Sequence, residues 1–258
     1  MPNAEGAVDL KEEKHGNVTV LKLKGRLDAI TSPIAEKKVF DIADRGGSRR
    51  SGPEPIRMAV SKALDKIEER SRSGNSITGV ATGFHDFDKM TSGLQPGDFV
   101  IVAGRPSMGK TTFAMNMAEH AAIRGQKTVL VFSMEMPADS LAVRMLSSLG
   151  RIDQHHLRTG KLQEDDWTRL TNAVGWLTKA KMIIDETGAL SPMDLRARAR
   201  RVARDNPDLG LIVIDYLQLM HASGRSENRT AEISEISRSL KALAKELHVP
   251  VVALSQLN

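Results

Sequence analysis

From residue 98 onward, short apolar runs rich in Val and Ile recur at intervals filled by helical periodicity. The runs at 98–103, 128–133, 182–185, 211–215 and 249–254 are nearly continuous rather than alternating. That is the pattern of strands buried on both faces. Alternation with helices predicts a parallel sheet covered on each side, an α/β architecture. The intervening helices are expected to begin near Gly109, Ala138, Glu164, Ser191 and Arg229. In such a sheet, ligands gather at the carboxyl ends of the strands.

The upstream third has a different texture. Residues 7–13 (with VDL) and 18–24 (VTVLKL) read as short β stretches separated by His15-Gly16-Asn17, which predicts a hairpin. A helical stretch follows: Ser32 can cap it, Pro33 suits its first turn, and Ile34, Val39, Phe40, Ile42 and Ala43 give it an apolar side. Residues 46–53 are Gly, Ser, Arg and Pro, a linker by composition. A second helix is expected from Pro55 to about Arg70, with Met58, Val60, Ala63, Leu64 and Ile67 on one side, and residues 71–76 form another linker.

Composition narrows the function classes. With 258 residues, 40% hydrophobic and 27% charged, the chain suits one large globular domain, or one domain with a small appendage. The absence of Cys excludes a disulfide framework, a zinc–thiolate site and a Cys nucleophile. No apolar run approaches the roughly 18–20 residues of a membrane span, and the first residues lack a basic and an apolar leader region. No membrane association and a cytoplasmic location are therefore expected. A net charge of +5 permits a polyanionic partner, while 3% aromatic residues argue against reading bases chiefly by stacking.

The chemistry begins at Gly104-Arg105-Pro106-Ser107-Met108-Gly109-Lys110-Thr111, followed by Thr112. These residues fit G-x-x-x-x-G-K-[ST] between an expected strand and an expected helix. The glycines let the backbone wrap a phosphate with its N–H groups pointing inward, adding to the helix amino terminus. Lys110 can reach the β- and γ-phosphates, and the Thr111 hydroxyl can ligate Mg²⁺. The bare pattern arises by chance in about 1% of chains of this length, and the strand–loop–helix context lowers that further.

A phosphate loop only says that a nucleotide binds. Hydrolysis needs an acidic centre for metal and water. Asp215 closes the apolar strand Leu211-Ile212-Val213-Ile214, and Glu135 follows the strand after the phosphate-loop helix. If both strands flank the loop's own strand, Asp215 suits the metal and Glu135 the general base. Taken singly, each acid is equally well a turn or cap residue.

Longer motifs then carry a family resemblance. TGFHDFD (82–88), GLQPGD (93–98), GRPSMGKTTFAMNMA (104–118), FSMEMP (132–137), IDYLQLM (214–220), NRTAEISEISRSLKALAKEL (228–247) and VPVVALSQLN (249–258) resemble the bacterial replicative DNA helicases of the DnaB family, from about residue 35 to the end. The resemblance implies a RecA-type ATPase core with a mostly parallel sheet and helices on both faces, spanning 77–258. It also implies ATP and Mg²⁺ as cofactors, a homo-hexameric ring around single-stranded DNA, and primase and a helicase loader as partners at the replisome. By the same resemblance, Lys110 and Thr111 hold phosphates and Mg²⁺, Glu135 polarises the attacking water, Asp215 completes the metal shell, and Gln256 senses the γ-phosphate. Residues 35–76 then hold linker helices, with 35–44 docking on a neighbouring subunit.

Two departures accompany it. The family's second DNA-binding loop, further strands and arginine finger would lie beyond Asn258. Without that finger, nucleotide binding with little multiple turnover is expected, since such a residue in trans is worth a factor of about 10³–10⁵. The segment 1–34, particularly VTVLKLKGRLDA (18–29), resembles the opening of a STAS domain, which suggests two joined fragments. Another RecA-type ATPase, or a STAS-type regulatory module with an inert ATPase part, are the competing readings.

The remaining charged features are weighed against plainer roles. Residues 221–230 carry Arg225 and Arg229, which serve either as DNA phosphate contacts or as a solvated loop. Arg196, Arg200 and Arg204 share one helical stripe that is either a solvated face or a contact for DNA or a neighbouring subunit. Ser191, Pro192 and Asp194 make a good helix start, and Glu164-Asp165-Asp166 complement a helix dipole. His155-His156 lack a third ligand for a metal. Met115 and Met117 are expected to pack in the core.

Overall fold

The structure, a computed structural model, describes residues 9–15, 18–24, 55–73, 76–221 and 229–257. The chain divides into two compact units, 1–69 and 70–258. In the first, strands β1 (Asp9–His15) and β2 (Val18–Lys24) pair antiparallel from Asp9↔Lys24 to His15↔Val18. The expected hairpin is present, with its first strand reaching His15 rather than Glu13. Helix α1 (Ile56–Ser73) runs three residues beyond the expected stop at Arg70, into the segment read as a linker. The expected helix at 35–44 and the linker at 46–53 lie outside the described residues.

The second unit alternates strands and helices. After α2 (His85–Thr91) come β3 (Phe99–Gly104), α3 (Lys110–Ile123), β4 (Thr128–Ser133), α4 (Ala138–Gly150), α5 (Gln154–Thr159) and α6 (Glu164–Lys179). The chain continues through β5 (Met182–Asp185), α7 (Pro192–Asp205), β6 (Leu209–Asp215), a 3₁₀ turn (Leu217–Leu219), α8 (Arg229–Leu247) and β7 (Val251–Gln256). The five strands form one parallel sheet in the order β3-β7-β6-β4-β5.

This order corrects one expectation. The strands bearing Asp215 and Glu135 do not flank the phosphate-loop strand, because β7 lies between β3 and β6. The last strand, β7, is bonded to β3 on one side and β6 on the other. The open edges among the described strands are β3 and β5.

Period-two alternation splits the strands between two cores. Leu130, Phe132, Ile212, Ile214, Val251 and Ala253 pack with Leu195 and Ala199 of α7 and Leu240 and Leu243 of α8. On the opposite face, Val129, Val131, Leu211, Val213, Val252 and Leu254 pack with Ala118 and Met117 of α3 and Leu141 of α4. Each fully buried aliphatic side chain contributes about 1.5–3 kcal/mol. Both β4 and β6 are buried along their whole length, which is why neither shows polar alternation. Met115 and Met117 are buried, as expected.

Polar bonds fix the ends. The buried Asp88 carboxylate accepts from the backbone N–H of Thr82 (2.9 Å), the Thr82 hydroxyl (2.7 Å) and the Gly83 N–H (3.1 Å), pinning the loop before α2. Ser191 caps α7 by accepting from the Asp194 N–H at 3.1 Å, with Pro192 in the first turn. Asp166 does more than complement a dipole. Buried, it closes a capping box with Gln163 and receives Arg169 at 2.6 Å, with His156 Nδ1 at 3.4 Å. In the arginine stripe of α7, Arg196 and Arg200 both bind Glu246 on α8 while remaining about half exposed, and Arg204, more exposed still, lies 3.8 Å from its neighbour Asp205. One carboxylate facing two guanidiniums staples α7 to α8.

Candidate active site

The parallel register brings four strand ends to one rim. Gly104 at the end of β3 is level with Gln256 at the end of β7, and Ser133 of β4 is level with Asp215 of β6. Between β3 and α3 the chain forms the phosphate loop. Two of its residues adopt left-handed backbone, Ser107 (φ 61°) and Gly109 (φ 83°), and together they curl the loop onto the amino terminus of α3. A Cβ on Gly109 would meet nothing within 4 Å, so glycine is needed there for its φ and not for space. At Gly104 neither reason holds: its backbone is not left-handed, and a Cβ would stand in ordinary contact with the Lys110 stem, at 3.4 Å. The crown from Arg105 through Pro106 to Gly109, including Met108, is exposed, and the Lys110 ammonium donates to the Arg105 carbonyl at 3.0 Å.

Strands lie about 4.8 Å apart, so β6 runs roughly 10 Å from β3 and Asp215 does not reach the loop through the sheet. It does so through α3: the Thr111 hydroxyl donates to Asp215 Oδ2 at 3.0 Å. Asp215 is 4% exposed. Burial pushes its carboxyl above the usual range; the Thr111 bond opposes this, nearby Glu135 adds to it, and Lys110 and Arg144 oppose it. The peptide after Asp215 is cis.

Glu135 sits on the exposed bend after β4. The Met134 N–H donates to the Asp215 carbonyl at 2.9 Å, the Ser133 hydroxyl donates to the Met136 carbonyl at 2.6 Å, and the Ala138 N–H donates to Glu186 at 2.7 Å. The bend is thus held on three sides, and Glu135 projects from it close enough to raise the Asp215 pKa. Thr112 faces elsewhere, lining a polar cavity between α3 and α4 with Asn116, Glu119, Arg144 and Ser148. Arg229 opens α8, and Arg225 lies outside the described residues.

These donors are hard oxygens, one hydroxyl and one buried carboxylate with a second carboxylate nearby. They fit Mg²⁺, which takes one or two protein ligands plus substrate phosphates and water. Among the described residues, no group of three or more His, Asp and Glu side chains gathers into a protein cage for a metal. Sequence reasoning missed Gln218, whose side-chain amide bonds the end of β7 beside the loop. Its one signal is a polar residue between Leu217 and Leu219, three positions after Asp215.

Comparison with known proteins adds to this geometry. Residues 79–258 match the family model described as DnaB-like helicase C terminal domain. The chain belongs to the DnaB-like helicases. It is 54% identical over 228 residues to the replicative DNA helicase DnaB of Pasteurella multocida, covering 87% of this chain and 49% of that protein. The DnaB of Geobacillus stearothermophilus is 48% identical over 226 residues, again 87% of this chain and 49% of the relative. The chain therefore spans about half the length of the DnaB proteins it matches. Among solved structures, one described as an ATPase domain superposes with a TM-score of 0.75 at 33% identity, covering 80% of this chain and 72% of that one. A DnaB-like replicative helicase studied for its interactions with primase gives 0.70 at 32% identity, covering 87% and 53%. The RecA-type fold expected from the DnaB-like motifs is thereby shown, and the family match decides against another branch of RecA-type ATPases.

Proposed function

We propose that residues 77–258 form the ATPase core of a replicative DNA helicase, binding ATP with Mg²⁺ in the phosphate loop and hydrolysing it. The observation that carries this reading is the 3.0 Å bond from Thr111 to Asp215, which joins the start of the phosphate-loop helix to a buried strand-end acid. Residues 104–109 wrap the phosphates, and Lys110 moves from the Arg105 carbonyl to the β- and γ-phosphate oxygens. Thr111 and Asp215 would hold Mg²⁺, and the chemistry the ion would supply there is neutralisation of charge on the phosphate oxygens. Glu135, exposed at the rim and fixed by its bend, takes the proton of the attacking water. Gln256, level with Gly104, reports whether the γ-phosphate is present.

In the whole helicase the same core works as a homo-hexamer on single-stranded DNA, with Arg229 and Arg225 at phosphates and primase and a loader as partners, in the cytoplasm at the replisome. No described helix is long and apolar enough to cross a membrane. Residues 35–76 serve as linker helices, and 1–34 as a STAS-like appendage. Single-turnover hydrolysis of radiolabelled ATP, with and without single-stranded DNA, tests the assignment. Glu135→Gln should bind ATP as the wild type does, yet hydrolyse it about 10²–10⁴-fold more slowly. Undiminished hydrolysis by that variant removes Glu135 from the mechanism.

A further inference from the structure

The strand ladder between β6 and β7 runs from Ile212↔Val251 to Ile214↔Ala253 and then ends, because β6 stops at Asp215 and the chain turns through Leu217–Leu219. Beyond that point β7 continues to Gln256 with no strand beside it on that side among the described residues. The Gln218 side chain fills the gap. Its Nε2 donates to the Gln256 carbonyl at 2.9 Å and to the Ser255 hydroxyl at 2.9 Å, and its Oε1 accepts from the Gln256 N–H at 3.2 Å. A side-chain amide offers the donor and acceptor of a peptide group in the same plane, so it can replace a ladder partner. On its other side Gln256 is held by β3, where Gly104 is its register partner and the Leu257 N–H donates to the Gly104 carbonyl at 3.1 Å.

We infer that Gln218 is a positioning residue that clamps Gln256 at the level of the phosphate loop, and so sets how well the site distinguishes a triphosphate from a diphosphate. Gln218 lies in the turn immediately after Asp215, so the acid and the clamp move as one segment. A shift of that turn would move Gln256 relative to Gly104 through hydrogen bonds to the backbone, whatever the Gln256 side chain is doing. The inference rests on the nucleotide-site reading above and assigns the regulation of its γ-phosphate response to a residue that touches no phosphate.

The test measures affinity for ADP and for ATPγS in magnesium buffer by competition against a fluorescent nucleotide, using the full chain. The variants are Gln218→Leu, Gln218→Glu, Gln256→Ala, the Gln218→Leu/Gln256→Ala double and Lys110→Ala. Gln218→Glu keeps the side-chain length and the acceptor but cannot donate, which guards against a Leu variant that folds poorly. The wild type should prefer ATPγS. Both Gln218 variants and Gln256→Ala should reduce that preference about 10–100-fold, the value of a hydrogen bond to a charged group, with ADP affinity kept within about twofold. The double variant should lose no more than either single one, because both remove the same contact. A wild-type preference in the Gln218 variants, or losses that add in the double variant, would overturn the inference. Binding unaffected by Lys110→Ala would instead overturn the nucleotide-site reading on which it stands.

Discussion

Glu119→Gln should raise stability at alkaline pH and leave it nearly unchanged in acid. Glu119 lies on α3, 6% exposed, facing α4 across a cavity shared with Asn116, Arg144 and Ser148. Burial pushes its carboxyl from 4.5 up to about 7, and the 3.2 Å bond from the Ser148 hydroxyl opposes that only weakly. A raised carboxyl pKa means that the folded chain holds the proton more tightly than the unfolded one. The stabilisation is therefore present at low pH and is lost as pH rises from 4.5 through 7. The difference, 7 − 4.5 = 2.5 units, corresponds to about 3 kcal/mol at about 1.4 kcal/mol per unit. A glutamine keeps the shape and the acceptor for Ser148 and never ionises. At about pH 8 the variant should be more stable by about 3 kcal/mol, or about 6–12 °C in Tm, and at about pH 5 by under about 1 kcal/mol. Thermal and urea melts of both chains across this range measure the gap, in which the other titrating groups cancel. A gap that does not change with pH, or one that favours the wild type at about pH 8, would refute the reasoning.

Two further substitutions test the local geometry. Gly83 and Gly109 share left-handed backbone, with φ 85° and 83°, but a Cβ at Gly83 would stand 2.6 Å from His120 Nδ1 while one at Gly109 meets nothing within 4 Å. Gly109→Ala should therefore cost about 1–2 kcal/mol in urea unfolding, and Gly83→Ala about 1–3 kcal/mol more; equal costs would mean that the contact with His120 is relieved freely. Glu246→Ala removes the staple between α7 and α8, but its partners are half exposed. The loss should be about 1 kcal/mol or less and should shrink at about 1 M salt. A larger, salt-insensitive loss would show that the pair is effectively buried.

The fold of residues 77–258 was legible because burial on both faces leaves a strong trace. β4 and β5 lie where the apolar runs of 128–133 and 182–185 place them, and α4, α6 and α8 begin at Ala138, Glu164 and Arg229 as expected. The short helices α2 and α5 were not foreseen, since seven and six residues carry too little periodicity to register. Sheet order was not legible either. Apolar runs say that strands are covered, not which strand lies next to which, so β7 between β3 and β6 went unseen. The phosphate loop was evident from spacing, and Asp215 from its place at a strand end. What sequence could not give were contacts made across the rim: Thr111 bridging to Asp215, Gln218 standing in for a strand, and Glu186 holding the bend of Glu135. The α7 arginines illustrate the same limit, because a stripe of charge looks alike in solvent and against a carboxylate 46 and 50 residues away.

The central claim is that the loop ahead of Lys110 grips a nucleotide triphosphate through that lysine, with Thr111 and Asp215 holding its magnesium. The most direct test is a titration of labelled ATP into the purified chain in magnesium buffer, beside Lys110→Ala and with circular dichroism to confirm that both are folded. The account predicts saturable binding by the wild type, weakened when magnesium is chelated, and a loss of at least about tenfold for Lys110→Ala, the worth of a charge-assisted contact. Folded wild-type chain that does not bind ATP, or a lysine variant that binds equally well, would contradict it.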